Sequence, residues 1–159
     1  MNLRNIIIVG LLFYSCKGSI GAGTLGGWEV MELPVTESKL DSAMSVFFID
    51  NPEYTVPEKW KYDSESWKRG GYDFLKSRFF YFKSAPEEMF YVSYIKPGFG
   101  VENPGWARIA IRSVYTEKMG WKNNEQYSEE EQVRIQNRFD EQIRSKLEQY
   151  TGVKTSIEE

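Results

Sequence analysis

The spacing of apolar and polar positions changes several times along the chain. Over 38–50 the apolar residues Leu40, Ala43, Met44, Phe47 and Phe48 recur at i, i+3, i+4, i+7 and i+8. That spacing predicts a helix with one buried stripe. Thr36 or Ser38 caps its start, and Asp50-Asn51-Pro52 closes it, because a residue preceding proline avoids the α region. Over 74–83 the period falls to two. Leu75, Ser77, Phe79 and Tyr81 take one side, and Phe74, Lys76, Arg78, Phe80 and Phe82 the other. After the turn Ala85-Pro86-Glu87-Glu88, residues 89–95 read as a second strand, which makes a hairpin. A loop of turn formers over 97–105 leads to a third strand at 106–115. Its alternation puts Ala107, Ile109, Ile111, Ser113 and Tyr115 on one side and Arg108, Ala110, Arg112 and Val114 on the other. Residues 120–127 read as a polar loop. Ser128 and Glu131 then form the S-x-x-E box that opens a last helix, with a stripe of Ile135, Phe139, Ile143, Leu147 and Tyr150 and a stop at Gly152.

The order α-β-β-β-α predicts an α+β domain: a three-stranded antiparallel sheet with the N-terminal and C-terminal helices packed on one face. Phe47, Ile109 and Phe139 are expected to meet in one centre. The domain is expected over 28–152, with 28–33 as a short extended entry and 153–159 as a tail. The connection 51–71 carries Tyr54, Trp60, Tyr62 and Trp67. Long connections pack through their own side chains, so these rings are either a cover over the core or an exposed recognition surface.

Composition narrows the chemistry. The chain has 159 residues, of which 41% are hydrophobic, enough for one domain with its own core. It has no histidine and a single cysteine, Cys16. Those counts exclude Ser-His-Asp and Cys-His nucleophiles, His-ligated zinc or haem, and an intrachain disulfide. A mean hydropathy of −0.52 excludes a multi-span membrane protein.

The first residues carry an address. Arg4 precedes an uncharged run, Ile6-Ile7-Ile8-Val9-Gly10-Leu11-Leu12-Phe13-Tyr14, which is far shorter than the roughly 20 apolar residues that span a bilayer. A basic start and a short apolar core predict a signal peptide over 1–15. Ser15-Cys16, directly after that run, resembles the lipobox of bacterial lipoproteins, with Ser15 at the small position and Cys16 at the modified one. The resemblance implies cleavage before Cys16 and a lipid on its sulfur. It also implies an envelope location, with Lys17-Gly18-Ser19, which lacks an acid, pointing to the outer membrane facing the periplasm. Residues 16–27 then become a Gly-rich tether. Gly21-Ala22-Gly23-Thr24-Leu25-Gly26 has the form G-x-G-x-x-G but lacks the flanking strand and helix of a dinucleotide site. Loss of 1–15 removes Arg4 and no acid, so the formal charge moves from −3 to −4. An acidic body argues against a nucleic-acid partner.

Few side chains suggest a reaction. Lys76, Arg78, Arg108 and Arg112 share a strand parity and are either a basic platform for an acidic partner or a solvated sheet face. Glu87-Glu88 sits in a turn. Glu129-Glu130-Glu131 sits in a first helical turn, where acids suit the helix dipole, and neither cluster has calcium-loop spacing. The reading is a non-catalytic, membrane-anchored envelope lipoprotein, without cofactor or metal, that binds a protein partner as an assembly accessory or immunity-type protein. Tyr54, Trp60, Trp67, Phe99 and Trp106 are its expected contact residues, because large rings give contact area for little lost rotamer freedom. The alternatives are a glycan-binding lipoprotein using Trp60, Trp67 or Trp106, and a small hydrolase drawing on Glu29, Glu32, Asp73 or Glu102.

Overall fold

Residues 27–72, 75–95 and 104–157 are described by a computed structural model. The chain enters through β1 (Met31–Leu33) and turns into α1 (Glu37–Asp50). Thr36 is the cap, its hydroxyl accepting from the Lys39 amide at 3.3 Å. Two short 3-10 turns, Pro52–Tyr54 and Glu58–Trp60, lead into α2 (Lys61–Arg69). Then come β2 (Ser77–Phe82), β3 (Glu88–Ile95), β4 (Ala107–Thr116) and β5 (Gly120–Lys122). The last helix starts as α3 (Glu129–Phe139), widens to a π turn at Asp140–Arg144, and ends as α4 (Ser145–Thr151). A two-residue strand, β6 (Ser156–Ile157), follows.

The class is α+β, with an antiparallel sheet, but among the described residues the sheet has six strands and not three. The meander β2-β3-β4 stands as expected. β1 joins the free edge of β4 (Met31 opposite Ile109), β6 pairs β1 (Met31 opposite Ile157), and β5 pairs the far end of β4. The three extra strands are two or three residues long, too short to show a period, and their register comes from β4. Gly152, at φ 72°, reverses the chain after α4 and brings 153–157 back. Residues 156–157 of the expected tail therefore close one edge of the sheet.

One sheet face meets α1, α3 and α4. Leu40, Met44, Phe47, Phe80, Phe90, Val92, Ile109, Ile135, Phe139, Ile143 and Leu147 form its core, and Phe47, Ile109 and Phe139 do share it. Phe80 lies edge-on to both Phe47 (5.6 Å) and Phe139 (6.3 Å).

The alternation expected for 106–115 fails at one place. Tyr91 pairs Ser113 and Val92 pairs Ile111, leaving Arg112 as an extra residue in β4. This bulge shifts the parity. Val114 turns into the helix-side core, and Tyr115 turns to the other face. That second face is also covered. Trp60, Tyr81 and Met89 are buried there against Val56, Phe79, Tyr115 and Trp121. Tyr91 is stacked between Trp67 (4.5 Å) and Phe79 (5.0 Å). The connection after α1 is thus a cover built on α2, and helices lie on both faces of the sheet.

Candidate functional site

The basic platform does not form. Arg78 lies in register with Val92 on the face covered by α1, α3 and α4 and bonds Asp41 of α1. Lys76 reaches Glu37 at 3.1 Å and Asp41 at 3.4 Å. Arg108 and Arg112 belong to the opposite face, where Arg108 binds Glu32 at 2.8 Å and Arg112 donates to Ser93 at 2.6 Å. The cross-strand register separates what one-strand parity had grouped.

The aromatic positions also part company. Tyr54 is buried in the helix-side core, edge-on to Phe82 at 5.6 Å, with its hydroxyl 3.3 Å from Gln142. Burial first, and Glu53 second, push its pKa up. Trp60 is buried in the second core against Tyr81 and Tyr115. Trp67 stacks on Tyr91 in the same layer. Trp106 is half-buried, with the Arg108 guanidinium 4.1 Å from its ring centre. Phe99 and Cys16 lie outside the described residues, as do Asp73 and Glu102. Glu29 is exposed, and Glu32 is tied to Arg108. Among the described residues no three Asp, Glu, Cys or His side chains converge as a metal site.

An open depression of about 550 Å³ lies elsewhere, between the β2–β3 turn and the last helix. Ser84, Ala85 and Pro86 form one wall. Glu130, Val133, Arg134, Asn137, Arg138, Glu141 and Gln142 form the other. Two of its lining residues, Arg134 and Arg138, belong to an ion network centred on the buried Glu88. Glu88 is 1% exposed, yet it is ionisable and lies within a strand. Arg138, 8% exposed, donates to Glu88 at 2.6 Å, to the Pro86 carbonyl at 2.6 Å, and to the carbonyl and hydroxyl of Ser84 at 2.8 and 2.5 Å. Arg134 bonds both Glu88 oxygens and Glu131 at 3.0 Å. Burial opposes the charge of Arg134, but hydrogen bonds to Glu88 and Glu131 outweigh it and raise its pKa. Arg138 fixes the turn against α3, Arg134 ties α3 to Glu88 of β3, and the Arg134 contact with Glu131 stays within α3.

The rim is different. Glu130, Val133, Asn137 and Glu141 are exposed and recur down one side of the helix. Val133 is 60% exposed. The π turn sits at the lower end, where one extra residue per turn carries Glu141 and Gln142 to the depression. Comparison of the chain with protein-family models, curated proteins and solved structures finds no match.

Proposed function

We propose that this chain is a lipid-anchored envelope protein whose domain binds a protein partner at the depression beside α3. The anchor is Cys16, and the site faces the periplasm from the outer membrane. The role is that of an assembly accessory or an immunity-type protein. One observation carries the binding part: an exposed apolar side chain, Val133, stands in an open trough whose lining residues Arg134 and Arg138 are rigidly cross-linked by Glu88. A fixed lining loses little freedom on docking, so contact area there converts to affinity at low entropic cost. The wall of small turn residues leaves room for another chain.

The test is capture of the full chain from detergent-solubilised membranes, in wild type and in Val133→Arg. The variant places a large charge in the trough at an exposed position. It is expected to melt as wild type does and to lose the co-purifying protein. Equal capture by both would remove the depression from the contact surface.

A further inference from the structure

Resting on that reading of the depression, we propose that its occupant is an extended, basic segment of the partner, with two cationic side chains about four residues apart. The charges on the walls lead to this. Arg134 and Arg138 are both consumed by Glu88 and Glu131, in contacts of 2.6–3.1 Å and one shorter bond. Glu130 and Glu141 are in no ion pair among the described residues. The trough therefore presents two uncompensated carboxylates around two neutralised guanidiniums. A cationic ligand gains from both, whereas an anionic one meets no free guanidinium.

Geometry sets the spacing. Glu130 and Glu141 stand at the two ends of one helical stripe, eleven positions apart, which is about 16 Å at 1.5 Å per residue. An extended chain covers about 13–14 Å between residues i and i+4, whose side chains share a face. The flexible stems of lysine or arginine span the remainder. Residue i+2 of such a segment points the same way and lies over Val133 and Asn137, where a small or medium apolar side chain fits. Ala85 and Pro86 then flank the stems of the cationic residues, which are themselves apolar.

The probes are two capped pentapeptides, Lys-Ser-Leu-Ser-Lys and Glu-Ser-Leu-Ser-Glu, titrated into the full chain in detergent micelles and followed by amide NMR shifts. The lysine peptide is expected to move the amides of 84–85 and 130–142. Its affinity is expected to fall with added salt and to weaken about five-fold in Glu130→Gln/Glu141→Gln, as exposed ion pairs do. The glutamate peptide is expected to move none of them. Binding of both peptides alike, no shift with the lysine peptide, or unchanged affinity in the double variant would overturn the basic occupant. A photo-reactive residue at position 133 separates this from the reading beneath it. An adduct in cells that survives Glu130→Gln/Glu141→Gln overturns the cationic chemistry while keeping the surface. Absence of any adduct overturns the surface itself.

Discussion

Glu88 decides much of what surrounds it. It is a buried carboxylate facing two guanidiniums, and one of these, Arg138, is itself buried. Breaking such a pair from one side leaves a charge without compensation and costs about 3–5 kcal/mol. Glu88→Gln keeps the shape and removes the charge, so urea unfolding is expected to show a loss of that size. A variant as stable as wild type would mean that Arg138 is held by Ser84 and Pro86 alone. A second carboxylate acts through pH. Hydrogen bonds from Lys154 and Thr155 lower the pKa of Glu148 to about 2. A lowered folded pKa contributes stability that is present above the ordinary value near 4.5 and lost as pH falls through about 2. Acid titration of stability is therefore expected to be flatter in Glu148→Gln over that window. Equal slopes in the two proteins would show that the fastening of 153–157 does not depend on this ion. None of this was legible along the chain. The sequence places Glu88 in a turn and gives no sign of its burial, because burial of an acid depends on which arginines the fold brings to it.

At the scale of elements, the long periodic segments declared themselves and the short ones did not. Leu40 to Phe47 and Ile135 to Leu147 carry enough repeats to mark a helix face, and both stripes are buried, with Phe48 and Tyr150 partly buried beside them. Three-residue strands carry no such signal, so β1, β5 and β6 depend on the register of β4. The bulge at Arg112 is equally invisible, because Ser113 and Val114 satisfy either parity until Tyr91 fixes the pairing. α2 was hidden for a different reason. Lys61–Arg69 has a polar surface and docks through Trp67 and the preceding Trp60, so its anchors sit outside a regular stripe. The last helix tests the packing directly. Phe139 closes on Phe80 and Phe90, and truncating a buried phenylalanine costs about 3–5 kcal/mol. Phe139→Ala is expected to lower the melting temperature strongly. A melt like that of wild type would contradict the docking of α3.

The molecule as a whole separates structural rings from exposed contacts. Its sheet is covered on both faces, so most large aromatics are spent inside. None of the residues lining the proposed contact surface is aromatic. Its one sequence signal was Val133, an apolar residue standing off the Ile135–Phe139–Ile143 stripe in an otherwise polar helix face. The facing wall, Ser84 to Pro86, comes from a distant turn, which only the fold brings alongside. The anchor makes its own prediction. Cys16→Ser is expected to yield an uncleaved or soluble form, while wild type floats with membranes and carries a lipid mass on its N-terminus. Wild type found soluble and unlipidated would remove the anchor. The claim that joins anchor and surface is that a partner sits in the trough beside α3 in the living envelope. Photo-crosslinking of the full chain in cells tests it, with a benzophenone residue at position 133 and a control at Glu65 on α2. One discrete adduct is expected from 133 and none from 65. No adduct from 133, or equal adducts from both positions, would contradict it.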